Sequence, residues 1–181
     1  MPIRYKLTNQ DLITYGDFQW TVGQKVTTSG DDELCGPGWL HCYRSPLLSV
    51  LHNPIHATIE NPKLWEAKVG GKSLCDGQMK EGWTEMTLER ELEIPEITLI
   101  QRIAYGILCT KEVCENEEWD QWADKWLRGE DRSKESAEAA WSAVRAAAES
   151  AAWTAALSAN SIAESKELDL ISIAQKAMSY K

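Results

Sequence analysis

Residues 36–44, Gly-Pro-Gly-Trp-Leu-His-Cys-Tyr-Arg, concentrate the side chains of this sequence that are able to do chemistry. The glycine–proline turn launches a strand. Alternation along it puts Trp39, His41 and Tyr43 on one face and Leu40 and Cys42 on the other. Two aromatic rings flanking an imidazole, with Arg44 at the strand end, would form a floor for a planar or phosphorylated ligand. The competing reading is a strand buried on both faces, its histidine bonded to a backbone carbonyl. Trp65 and Trp83 stand on other apparent strands and complete an aromatic group with Trp39, so a ligand is sought there.

A second stretch, 83–94, alternates cleanly. Met86, Leu88, Leu92 and Ile94 face inward, while Glu85, Thr87, Glu89, Glu91 and Glu93 face outward. The glutamates read as a solvated face that blunts an edge strand. Arg90 shares the parity of the apolar residues, so it needs a carboxylate or a bound anion, or it snorkels to the sheet edge. The candidate binding set is therefore Trp39, His41, Tyr43, Arg44, Trp65, Trp83 and Arg90.

Metal chemistry is not expected. His41 and Cys42 are adjacent and lie on opposite strand faces. His52 and His56 stand four apart, but Pro54 interrupts the helix that would align them. Cys109 and Cys114 fall roughly 140° apart around a helix. Neither CxxC nor HExxH occurs, and GxGxxG, P-loop, GxSxG and kinase signatures are missing too. No cofactor is expected.

Two halves must position these residues. Residues 1–95 hold every proline and nine of the eleven glycines, with apparent strands at 12–20, 25–28, 39–43, 64–69 and 83–94. A short helix at 46–52 has proline in its first turn and closes at Asn53-Pro54. Residues 96–181 are helical. A first helix, 96–114, carries a stripe of Ile97, Ile100, Ile103, Ala104, Ile107 and Leu108. A second sets Trp119, Trp122 and Trp126 on one side and stops at Gly129. Ser133 caps a long helix in which residues 137–163 contain 13 alanines. A last amphipathic helix runs over 168–178. The fold class expected is α+β, a mostly antiparallel N-terminal sheet with one short helix followed by about four helices. The two parts are expected to form one compact unit. The Ala-rich helix is either an intramolecular layer or a homodimer surface.

Bulk composition excludes several functions. The 28 acids outweigh 19 bases for a net charge of -9, divided as -4 over residues 1–95 (13 acids, 9 bases) and -5 over 96–181 (15 acids, 10 bases). Such a chain does not track a phosphate backbone by charge, and the even spread argues against a DNA-mimicking face. Apolar runs stay below the ~18 residues a membrane span needs, and residues 1–6 lack a secretory core. Five cysteines without framework spacing point to reduced thiols in the cytoplasm.

The order of these pieces resembles a family of small uncharacterised proteins encoded by bacteriophages and bacteria. It runs from the Cys35-Gly turn through GWLHCY, PLLSVLHNP, WEAKV, TLERELEIP, QRIAYGILC and WLRGEDRS to an Ala/Trp/Ser-rich tail closing in LDLI. The resemblance covers Cys35 to Met178 and implies phage-type context, in which small proteins often neutralise host defences. A more distant likeness is to ADP-ribosyltransferase folds, which would place 38–43 at the strand before a helix. His41, Tyr43 and a glutamate, Glu85 or Glu89, would then act on NAD, although the fixed-spacing signature of those enzymes is absent.

Three functions are carried forward. The leading one is a non-catalytic binding protein, anti-CRISPR-like in role, that inhibits or sequesters a component of a bacterial antiviral defence system. Its partner would be a host protein with a basic surface or a nucleotide signal, with tryptophans as anchors. The second is an NAD-directed enzyme using His41, Tyr43 and Glu85. The third is an assembly protein that oligomerises through its helical tail.

Overall fold

The alternating sequence Ile-Arg-Tyr-Lys-Leu-Thr opens the sheet as β1 (Ile3–Thr8), a strand absent from the sequence reading. The computed structural model describes residues 1–113, 117–133, 135–136 and 168–181. The remaining strands are β2 (Ile13–Thr14), β3 (Phe18–Gln19), β4 (Lys25–Thr27), β5 (Leu40–Cys42), β6 (Lys63–Asp76) and β7 (Lys80–Leu92). The helices are α1 (Pro46–His56), α2 (Leu99–Val113), α3 (Glu117–Leu127) and α4 (Leu170–Ala177). The protein is α+β, with an antiparallel N-terminal sheet and four described helices. No helix among the described residues is long and apolar enough to cross a membrane.

The sheet runs β1-β6-β7, and the far edge of β7 takes two short strands in tandem. There β5 pairs with residues 81–83 of β7 and β4 with residues 85–87. Tyr5 and Tyr43 then exchange backbone hydrogen bonds of 2.9 and 2.8 Å, so the chain leaving β5 returns to β1 and the sheet curls closed. Two irregularities in the β6–β7 register, at Glu66/Ala67 and Gly70/Ser73, supply the bend. At the second, Gly71 has φ 77°, and a Cβ there would stand 2.1 Å from Thr84 Oγ1, so only glycine fits.

Trp20, Leu40, Cys42, Trp65, Ala67, Val69, Met86 and Leu88 form the sheet's core cluster. Helix α1 begins with Pro46 at its first turn and buries Leu48, Ser49, Val50, Leu51 and His52. It does not stop before Pro54, as the sequence suggests, but continues through it to His56. Proline there removes one backbone donor near the end of the helix, where few bonds remain to lose. The strand expected over 12–20 is instead a hairpin. Gly16 (φ 71°) and Asp17 (φ 56°) turn the chain left-handed and leave two-residue strands on either side.

The described chain divides into two compact units, one of Met1–Ile97 with Asp169–Ala174 and one of the rest. In the second unit α2 buries Ala104, Tyr105, Ile107 and Leu108. Lys111 of that helix pairs with Asp124 at 2.6 Å and Asp120 at 3.4 Å on α3. Gly129 (φ 78°) ends α3, its N–H donating to Trp126 O, as the sequence implies. Ser136 N donates to Ser133 Oγ at 3.2 Å, the bond of a helix N-cap. The long Ala-rich helix with its homodimer face, Trp141, Trp153 and Cys114 lie outside the described residues. Cys35, Cys42, Cys75 and Cys109 are free thiols.

Candidate functional site

Two places in the first unit could carry function: the polar centre where β1, β5 and β7 meet, and a cleft beside the β2–β3 hairpin. At the centre the residues singled out from sequence are largely brought together. They are also occupied. Glu81, only 4% exposed, is the hub and was not anticipated from sequence. Arg4 Nε donates to it at 2.5 Å, Arg44 Nε donates to its other oxygen, and Trp83 Nε1 donates at 2.9 Å. Burial alone would raise this carboxyl. The donors from Arg4, Trp83 and Arg44 outweigh that and hold it below the usual carboxylate range. Arg4 also lies 5.8 Å over the Trp83 ring.

The aromatic floor is closed. Trp39 and Trp65 are buried, with their indole N–H groups donating to Asp32 O at 2.7 Å and Thr8 Oγ1 at 3.0 Å. Leu40 and Cys42 are buried on the opposite face, so the strand is covered on both sides. His41 Nε2 donates to Leu34 O, the carbonyl partner that the competing sequence reading required. The backbone oxygen of His41 accepts from Lys6 Nζ at 2.8 Å, and this ammonium sits 4.9 Å from the Trp20 ring centre. Burial brings Lys6 down to about 8 and pushes the Cys42 thiol up to about 12, which leaves Cys42 protonated and inert at neutral pH.

All three histidines border this centre. Tyr43 and His56 share a hydrogen bond of 2.9 Å between the hydroxyl and Nδ1, and His52 Nδ1 donates to Met79 O at 3.1 Å. The His52 and His56 rings lie 5.4 Å apart, because α1 stays helical across Pro54. Burial lowers His41 and His52. Burial, reinforced by the neighbouring His52, lowers His56 to about 4. Neutral imidazoles would suit a metal, but among the described residues no group of three or more His, Cys, Asp or Glu is placed to hold one.

Two candidate residues stand apart. Glu85 pairs with Lys25 at 2.8 Å across β4 and β7, whereas His41 stands opposite Gly82. Arg90 does find a carboxylate, Glu66 at 2.9 Å, yet it lies outside the core with its side chain 68% exposed. The register explains this. Arg90 faces Glu66 and Leu88 faces Ala67, so Glu89 is an extra residue that reverses the parity beyond it.

The cleft is built mostly from turn and loop residues. It has a volume of about 420 Å³ and lies between residues 9–17 and 57–60. Asn9 shapes one wall, its Oδ1 accepting from Asp11 N at 2.9 Å and Ile13 N at 2.7 Å. Trp20 Nε1 pins that wall to the core through Thr14 Oγ1 at 3.0 Å. Asn53 shapes the other wall. Its amide donates to Ile59 O at 2.9 Å and accepts from Ile59 N at 3.0 Å, as a backbone group would. Gln10 Nε2 joins the walls by donating to Asn61 O at 2.6 Å.

Leu12, Asp17, Thr58 and Asn61, the non-glycine residues with left-handed backbone among the described residues, all lie in or beside these walls. Such geometry costs on the order of 1–3 kcal/mol each and persists only where the surroundings enforce it. At the mouth Tyr15 is 98% exposed, and Asp17 and Glu60 supply charge. Their sequence signal was the density of turn residues, Asn9, Gly16-Asp17, Asn53 and Asn61, which also reads as ordinary loop.

No curated protein and no solved structure matches the chain. Residues 3–100 match a family model described as a domain of unknown function, DUF7666. That match spans the whole closed sheet, both walls of the cleft and the first two residues of α2, more than half of the 181 residues, and the chain belongs to this family.

Proposed function

We propose that this protein is a non-catalytic binding protein that sequesters a protein partner through the cleft beside Tyr15. The partner class is a component of a bacterial antiviral defence system, which is what the resemblance to small phage-encoded proteins implies. One contrast carries the reading. The acid and base groups of the polar centre are bonded within the fold, Glu81 by three donors, His41 and His52 by carbonyls and Tyr43 by His56. An aromatic residue with no structural duty meanwhile stands fully in solvent at the rim of a concave surface. Tyrosine is the residue type that supplies contact area at small entropic cost when it anchors an interface.

The test is affinity capture from lysate of phage-infected bacteria, using the full chain and its Tyr15→Ala variant as parallel baits. Proteins are identified by mass spectrometry, together with small molecules released on heating. A protein recovered with the wild type and lost with Tyr15→Ala is the expected result. Equal recovery with both baits, a nucleotide in place of a protein, or no recovery above control overturns the proposal.

A further inference from the structure

We infer that the cleft receives a cationic side chain, arginine in preference to lysine, from the protein partner. This rests on the binding reading above and names the chemistry that the cleft selects. Charge comes first. The charged groups lining the cleft are Asp17 and Glu60, with no lysine, arginine or histidine in the lining, and the whole chain carries -9. A phosphate would meet two carboxylates and no counter-cation, so a nucleotide is the poorer fit, whereas a cation is attracted at long range and paired on arrival.

The second observation is independent of charge. Tyr15, 98% exposed, makes no hydrogen bond and no ring contact among the described residues, so its ring face and hydroxyl are both free. A planar guanidinium stacks on such a ring while its N–H fork bonds carboxylates in the same plane, which an ammonium cannot do. The third is shape. The cleft is shallow and open, with a volume of about 420 Å³, and Ile13 and Ile59 give it apolar lining. An arginine can lay its methylene stem along such lining while its head reaches the rim. Asn9 and Asn53 hold both walls before any ligand arrives, so little ordering is left to binding.

The experiment uses the full chain labelled for NMR. It is titrated at low and moderate salt with a capped pentapeptide carrying two arginines, with its lysine and norleucine counterparts, and with ADP. The expected result is shift changes confined to residues 13–17 and 57–60, in the order arginine, lysine, norleucine, and weakening with salt. Asp17→Asn combined with Glu60→Gln should weaken arginine-peptide binding by roughly tenfold or more, and asparagine tolerates the backbone at position 17. Tyr15→Ala should do the same, while Glu89→Gln with Glu91→Gln, on exposed strand positions, should leave binding unchanged. Three results overturn the inference: no shifts at the cleft, equal binding by the Asp17/Glu60 variant, or the same shifts produced by ADP. If a cellular partner is still lost with Tyr15→Ala while the Asp17/Glu60 variant retains it, the cation specificity fails and the binding protein stands. If nothing is captured by any bait, the broader reading fails with it.

Discussion

The Glu81 centre and the Tyr15 cleft lie in the same unit and satisfy their polar groups in opposite ways. At Glu81 two guanidiniums, an indole and a carboxylate close on one another with the carboxylate 4% exposed, and the neighbouring histidines are bonded within the fold. At the cleft, main-chain groups are satisfied by two asparagines, which leaves Tyr15, Asp17 and Glu60 facing solvent. Residue types associated with catalysis have gone into structure, and residue types associated with turns have built the concave surface. Chemistry is therefore better sought where side chains lack internal duties than where reactive types are densest.

The sharpest way to break that contrast is to remove the hub. Glu81→Gln leaves Arg4 and Arg44 facing each other without the charge that holds them. Loss of one partner from a buried ion pair costs about 3–5 kcal/mol, and the low end applies here because the two arginine side chains are 21% and 34% exposed. The urea midpoint should fall accordingly, while capture of a partner by the folded fraction stays intact. An unchanged midpoint would mean that both arginines are solvated well enough without Glu81, and that the centre is not a structural hub.

Titration probes the same centre. Burial lowers His41, His52 and His56, so below pH 6.5 the unfolded chain takes up protons that the folded one refuses. Their contribution is complete above that value and is lost as pH falls, with the His56 share lost down to about 4. Glu81, also lowered, contributes above its unfolded value of 4.5 and loses that contribution as pH falls through its folded value. Stability should be level near pH 7, rise toward and beyond pH 8 as folded Lys6 gives up its proton ahead of the unfolded chain, decline below about 6.5 and steepen below about 4.5. His56→Gln should flatten the first limb in a series of urea midpoints, and an unaltered limb would show that this histidine does not titrate with folding.

Much of this fold was legible from periodicity. The short strand at 39–43, the strand at 83–94, the proline-started helix and the glycine stop after α3 follow from patterns that local sterics enforce. Closure of the sheet was not legible, because it rests on one backbone exchange between Tyr5 and Tyr43, residues far apart in sequence. That closure also buries Glu81, which by parity alone would join Glu85 on a solvated face. Arg90 illustrates the same limit at smaller scale, since one extra residue in β7 reverses its side and alternation cannot foresee a bulge. The cleft was hidden for a different reason: asparagines and positive φ angles look like any loop until both walls are seen together.

A third change acts on the cleft and spares the centre. Asn53→Ala leaves Ile59 N and O without their partners and should cost about 1–2 kcal/mol in the urea midpoint, together with most of the partner capture. Asn53→Asp should be no better for binding, since a carboxylate accepts from Ile59 N but faces Ile59 O with no proton to give. If both variants capture the partner as the wild type does, this wall does not shape the surface.

Thr58→Gly should have the smallest effect and separates stability from function most cleanly. A threonine at φ 50° is strained, and glycine removes that strain at a cost of about 0.5–1 kcal/mol in chain entropy, for a net gain of about 1 kcal/mol. The gain should appear as a higher urea midpoint. Partner affinity should fall slightly at the same time, because a glycine lets the 57–61 wall sample conformations that the threonine forbids. A site whose rigidity serves binding must show these opposite signs in one variant. If affinity instead rises or stays level as stability increases, the strain at Thr58 is incidental to how the helix ends, and Tyr15 and the two carboxylates alone define the surface.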